Sequence, residues 1–137
     1  MALMARAEAG ELEAVLAGFA PLPVASDLKP PEVGLVMLRG RTGGDGAAFN
    51  LGEATVSRAA VRLEGGVSGF AYRLGRDVKA ARAAAILDAL WQDEARRAEV
   101  EVALAPVRAR LAAEAAQVRA ETAATKVDFF TLVRGED

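Results

Sequence analysis

Val61-Arg62-Leu63-Glu64-Gly65-Gly66-Val67-Ser68-Gly69-Phe70-Ala71-Tyr72-Arg73-Leu74-Gly75-Arg76-Asp77 is the stretch on which the fold turns. Val61 and Leu63 alternate with Arg62, and Phe70, Tyr72 and Leu74 alternate with Ala71 and Arg73. Period-two alternation on either side of a glycine turn is the pattern of an antiparallel hairpin with one buried face. The expected strands run from Phe49 to Leu63 and from Gly69 to Leu74, joined at Glu64-Gly65-Gly66. Asp77 then supplies an N-cap, and the next twenty or so residues place Ala83, Ile86, Leu87, Leu90 and Trp91 on one helical face.

Working outward, Val33-Gly34-Leu35-Val36-Met37-Leu38 is an apolar run of strand length with hydrophobic groups pointing both ways, so both of its faces want cover. Gly40 to Gly46 is a turn cluster. Upstream, Ala2 to Ala17 carries Leu12, Val15, Leu16 and Phe19 at helical spacing, and Gly18, Pro21 and Pro23 end that helix. Ser26 to Glu32 contains Pro30-Pro31 and reads as an extended linker. Downstream, Pro106 belongs near the first turn of a helix striped by Val107, Leu111, Ala115 and Val118, which ends near Thr125. Lys126 to Val133 switches to β-branched and aromatic residues and reads as a final strand. The expected architecture is one α+β domain over residues 1–137, a small antiparallel sheet of three or four strands packed with amphipathic helices. Its parts are an N-terminal helix and Pro-rich linker (1–32), a sheet region (33–76), helices (77–125) and a C-terminal strand and tail (126–137).

The chain has 137 residues, 53% of them hydrophobic and only 5% aromatic, and roughly a quarter are alanine. Such a core is built from many small contacts. With no His and no Cys, the chain has no imidazole base, no Ser-His-Asp or Cys-His dyad, no His or Cys zinc site, no thiolate-held cluster and no disulfide. The uncharged run Ala14 to Ala25 falls short of the roughly 20 residues that span a bilayer, and its acidic upstream flank is the reverse of a signal peptide's. The expected location is the cytoplasm.

Net charge is −2, which implies no general affinity for nucleic acid or membrane. Its distribution is uneven. Residues 33–76 hold Arg39, Arg41, Arg58, Arg62, Arg73 and Arg76 against Asp45, Glu53 and Glu64, while both flanking regions are acidic. Arginine forks suit phosphates or carboxylates. Two readings stand: a solvated sheet face paired with acidic helices, or contact with an anionic ligand or acidic partner through Arg58, Arg62, Arg73 or Arg76. The Gly43-Gly44-Asp45-Gly46 loop is either a turn or an anion cradle, and it fits neither the Walker A nor the GxGxxG pattern. Asp93 and Glu94 sit among Arg96 and Arg97 as an exposed ion-pair face. Phe129 and Phe130, adjacent on a strand, point to opposite faces, so one fills the core while the other enters the core or docks on a partner.

Three strings together carry a family resemblance. Gly52-Glu-Ala-Thr-Val-Ser-Arg-Ala-Ala-Val-Arg-Leu63, Gly75-Arg76-Asp77 before an alanine-rich helix with Asp88-Ala89-Leu90, and Lys126-Val-Asp-Phe-Phe-Thr-Leu-Val-Arg-Gly135 resemble the PhnG family, the small subunit of the bacterial carbon-phosphorus lyase core complex. The similarity runs in order from about Gly34 to Asp137 and takes in the Arg41 to Gly46 loop. Departures are mild: Asp45 for a small or hydroxyl residue, Ser57 for Thr, and alanine in the run Ala83 to Ala85 where Cys can occur.

The resemblance implies a supporting subunit in organophosphonate catabolism. In that family the nucleosidase-type subunit I, with G, H and the ATPase-like L, replaces the adenine of ATP by an alkylphosphonate, giving α-D-ribose 1-alkylphosphonate 5-triphosphate. Subunit J then breaks the carbon-phosphorus bond with S-adenosylmethionine and an iron-sulfur cluster. The implied partners are H, I and J, with I the direct one. No cofactor and no metal is assigned to this chain, and no catalytic residue is carried over. Partner docking is assigned to Phe129, Phe130, Leu132 and Arg134. Three functions follow as expectations: a non-catalytic assembly subunit, a phosphate-binding module lending arginines to a shared site, and, apart from the family, a homodimeric binding protein.

Overall fold

The glycine turn at Glu64 to Val67 closes as the alternation requires. Gly65 and Gly66 adopt φ of 106° and 93°, a region that favours glycine, and the Leu63 N-H donates to the Val67 carbonyl at 2.8 Å. The computed structural model describes residues 2–125. Among them, strands β1 (Ala25–Arg41), β2 (Ala48–Leu63) and β3 (Ser68–Leu74) form an antiparallel sheet in the order β1-β2-β3. Five helices accompany it: α1 (Ala2–Arg6), α2 (Ala9–Ala17), α3 (Val78–Gln92), α4 (Arg97–Ala103) and α5 (Ala105–Ala124). The α+β arrangement is the expected one. The proposed strand over Lys126 to Val133, with Phe129, Phe130, Leu132 and Arg134, lies outside the described residues.

Helix α3 begins where Asp77 accepts the Ala80 N-H at 2.9 Å, as an N-cap should. It lies on one face of the sheet and forms the centre of the core. Ten of its residues are buried, alanines among them on every side, so α3 is an enclosed helix rather than a one-faced amphipathic one. Against it stand Ala59, Val61 and Leu63 of β2 and Ala71 of β3. Leu87 and Leu90 are fully enclosed, each burial contributing about 2 kcal/mol.

The hairpin is there, but its faces are reversed on β3. Alternation points to Phe70, Tyr72 and Leu74 as the inward set, whereas the structure turns them to solvent and buries Gly69 and Ala71. The cause is the close approach of α3. A β-carbon at Gly69 would stand 2.1 Å from the Ala85 carbonyl oxygen and 2.4 Å from the Ala89 nitrogen. Asp88, itself buried, accepts the Phe70 N-H at 3.0 Å and the Gln92 side-chain amide at 2.9 Å. Backbone meets backbone here, and only small side chains fit between.

Other boundaries shift for local reasons. The single N-terminal helix expected over Ala2 to Ala17 is two, because Glu11 captures the Glu8 N-H at 2.8 Å and Arg73 captures the carbonyls of Met4 and Ala7. The expected linker over Ser26 to Glu32 is part of β1, with irregular register at Asp27/Lys29 and Lys29/Glu32 absorbing the two prolines. The helix after Asp77 stops at Gln92, where Asp93 takes the Ala95 N-H. Pro106 does occupy the first turn of α5, and Val107 and Leu111 are buried, but Val118 is 60% exposed because α5 runs past the core. Arg110 of α5 holds α2 through a bidentate pair with Glu11, both contacts 2.7 Å.

The reversed hairpin predicts opposite costs at neighbouring residues. Gly69→Ala forces α3 off the sheet and costs about 3 kcal/mol, while Phe70→Ala costs about 1 kcal/mol or less, well below a buried phenylalanine, both read from urea unfolding. The Arg110 hydrogen bonds hold the Glu11 carboxyl down at about 2 from 4.5. A depressed carboxylate stabilises above its unfolded value, so this contribution is present above pH 4.5 and lost as pH falls towards 2. Glu11→Gln is expected to flatten that part of the acid melting profile.

Candidate functional site

β3 is short, and this decides where the uncovered surface lies. It pairs only with Val56–Arg62 of β2, while β1 and β2 continue together from Gly34/Val56 to Arg41/Ala48. The outer half of that hairpin is a two-stranded arm with no third strand and no helix over it among the described residues. Opposed residues share a face, so Leu35 with Thr55 and Met37 with Glu53 look to one side, and Val36 with Ala54 and Leu38 with Gly52 to the other. Leu35 is 60% and Leu51 65% exposed, and Met37, Leu38 and Phe49 are exposed beside them. The cover that this apolar run wants is not provided within residues 2–125.

The loop at the arm's tip is a turn. Gly43 and Gly44 take φ of 61° and 89°, the Gly46 N-H donates to the Thr42 carbonyl at 2.8 Å, and Arg41 Nη1 donates to the Gly46 carbonyl at 3.2 Å. These two bonds close the loop on itself.

The arginine set is divided rather than gathered. Arg58 lies on the outer sheet face, with Glu32 opposite on β1 and Tyr72 opposite on β3. Its guanidinium pairs with the Glu32 carboxylate, which Lys29 also reaches at 2.6 Å. Lys29 first and Arg58 second hold Glu32 below the usual carboxylate range, and Glu32, then Tyr72, raise Arg58. Arg62, on the same face four residues along, donates to the Ser68 hydroxyl at 3.3 Å. Arg73 is on the opposite face, half-buried, and its fork is spent on the Met4 and Ala7 carbonyls. Burial holds it below the ordinary arginine value. Arg76 stands beyond the end of β3, exposed and without a side-chain partner among the described residues.

Of the six sheet-region arginines, Arg58 alone has a carboxylate partner among the described residues. Among the described residues no helix carboxylate forms an ion pair with a sheet-region arginine, although Asp77 at the start of α3 acts electrostatically on Arg73. The helices neutralise their own surroundings instead: Arg82 pairs with Asp27, Arg110 with Glu11, and Arg108 with Glu101. Next to Arg58, Phe70 and Tyr72 border a hollow of about 90 Å³, far below the roughly 300 Å³ of a typical small-ligand site. Among the described residues there is no group of three carboxylates that could hold a metal ion, and no helix is long and apolar enough to cross a membrane.

Two features escape the sequence reading. Asp88 is the buried carboxylate that ties α3 to the β3 backbone, and it reads in sequence as one acid in an alanine-rich helix. Ser57 is fully buried opposite Arg73, and its hydroxyl has no hydrogen-bond partner among the described residues.

Fold and surface together define an α+β domain in which, among the described residues, the β1-β2 arm outruns the core and the sheet-region arginines outnumber the carboxylates that meet them. Comparison gives the class a family. The family described as "Phosphonate metabolism protein PhnG" matches residues 1–135. A curated relative from Rhizobium meliloti (strain 1021), the α-D-ribose 1-methylphosphonate 5-triphosphate synthase subunit PhnG, is 54% identical over 137 residues, covering 100% of this chain and 88% of the relative. The chain belongs to the PhnG family.

Arg73 and its neighbours separate by what they hold. Arg73→Ala leaves two carbonyls of buried residues without donors and is expected to cost about 2 kcal/mol, with Arg73→Lys recovering only part. Arg62→Ala and Arg76→Ala leave the melting temperature within about 2 °C. Thermal denaturation of the four proteins checks both halves.

Proposed function

We propose that this chain is a subunit of an α-D-ribose 1-methylphosphonate 5-triphosphate synthase in a cytoplasmic carbon-phosphorus lyase complex, and that it acts there by assembly rather than by chemistry of its own. The observation that carries this reading is the identity of 54% with a synthase subunit along the whole chain. Its direct partner is the nucleosidase-type subunit I, with H and J in the same core complex. ATP and an alkylphosphonate are substrates of the assembly, and adenine is displaced from the ribose. S-adenosylmethionine and the iron-sulfur cluster belong to another subunit, which agrees with a chain that has no cysteine. The chain's contribution is to order the partner's site and keep water out, so that the phosphonate rather than water takes the place of adenine.

A second reading has its own support. Arg62 and Arg76 are exposed and have no carboxylate partner among the described residues, so either can meet a phosphate at a site shared between subunits.

Co-expression with the nucleosidase-type subunit, followed by native mass and synthase assay, tests both. A defined hetero-oligomer whose turnover survives Arg62→Ala and Arg76→Ala within about threefold is the expected result. An intact complex that loses about a hundredfold in turnover with either variant assigns that arginine to the shared site. ATP turnover by the isolated chain overturns the assembly role.

A further inference from the structure

Strand β1 has one paired edge and one free edge among the described residues. Free edges are commonly blunted by prolines, lysines or bulges, and the inner half of this one is: Lys29, Pro30, Pro31 and two of the three register irregularities fall between Asp27 and Glu32. From Val33 to Leu38 none of those devices occurs, and the third irregularity falls at Leu38/Arg39. The strand there is flat to the eye of the sequence, Val33-Gly34-Leu35-Val36-Met37-Leu38-Arg39-Gly40-Arg41, and regular in its pairing as far as Leu38. Val33, Leu35 and Met37 are all exposed on one face of it.

Such an edge accepts another strand. The charges say whose. Residues 33–41 contain two arginines and no acid, and Glu32 before them is already engaged by Lys29 and Arg58. A second copy of β1 placed antiparallel on the first therefore brings four arginines and no free carboxylate to the new ladder. A strand of different sequence, apolar along its middle and acidic at the end that meets Arg39 and Arg41, satisfies both the apolar row and the charge.

We propose that the free edge of β1 over Val33–Arg41 receives a strand from the partner subunit, apolar opposite Val33, Leu35 and Met37 and carrying carboxylates opposite Arg39 and Arg41. This rests on the reading of the chain as a synthase subunit and names the surface by which it joins. The row Val33, Leu35 and Met37 supplies the apolar contact, the edge amides and carbonyls supply the register, and the arginines choose the partner's direction.

Hydrogen exchange and variants of the full chain co-expressed with the synthase subunits test it. In the assembled complex the amides of Val33–Arg41 are expected to exchange at least about 100-fold more slowly than in the free chain. The double variant Leu35→Asp, Met37→Asp lies outside the core, so the free protein should keep its circular dichroism and melting temperature. Its retention in the complex should fall by about 100-fold or more. Val118→Asp, at an exposed apolar site on α5, should be retained like the unmodified chain. Unchanged protection of the edge, or a double variant that still assembles, overturns the docking proposal while leaving the subunit reading in place. A double variant whose only loss is a homodimer of the free chain assigns the edge to a second copy and likewise overturns it. If the unmodified chain joins no synthase subunit, the subunit reading falls and this proposal falls with it.

Discussion

Gly69 has no space for a side chain, because the backbone of α3 crosses the β3 backbone at that residue. Much of the molecule is arranged around this contact. A helix that close to a sheet admits only small residues where the backbones meet, which is why Ala85 and Ala89 stand over Gly69 and why Ala59 and Ala71 line the sheet beneath. The side chains too large for the gap, Phe70, Tyr72 and Leu74, are left on the other face. Asp88 fixes the crossing by accepting the Phe70 N-H, so a buried polar side chain is spent on registering helix against strand.

The same closeness accounts for how the charges fall. Helices packed so tightly to one side bring their own arginines within reach of nearby acids, and Arg82, Arg108 and Arg110 are all paired. The outer sheet face and the arm have no helix above them, so Arg39, Arg62 and Arg76 have nothing acidic to meet within the described residues. Arg73, alone on the helix side, is drawn into the N-terminal helices as a carbonyl donor. Six arginines that look like one basic group in the sequence therefore do at least three different things in space.

What could be read from residues and what could not divide along the same line. The glycine turn, the Asp77 cap and the place of Pro106 are local, each decided within a few residues, and the structure has them where they were expected. The direction of β3's faces is decided by α3, fifteen to twenty residues away, and alternation by itself is silent on which of two faces is the inner one. The break between α1 and α2 depends on Arg73, far along the chain, and the strand character of residues 25–32 depends on a partner strand that overrides two prolines. Among the site residues, sequence located the basic region but not its division, since that follows from which face each arginine occupies. The family was legible for a different reason: its strings are specific enough to be matched without knowing any of these contacts.

A two-stranded arm is marginal in water by itself, and this one carries exposed leucines on residues 35, 38 and 51. Its persistence beyond the core makes sense as a cost set against assembly. Any partner that binds only the folded chain stabilises it in proportion to the logarithm of partner concentration over dissociation constant. A core built largely of alanine has few large side chains with which to anchor the arm from within, so among the described residues the arm gains little from the core. The short β3 and the small inner face are then two sides of one constraint: the approach of α3 at Gly69 that makes the core compact also leaves β1 and β2 longer than anything among the described residues that covers them.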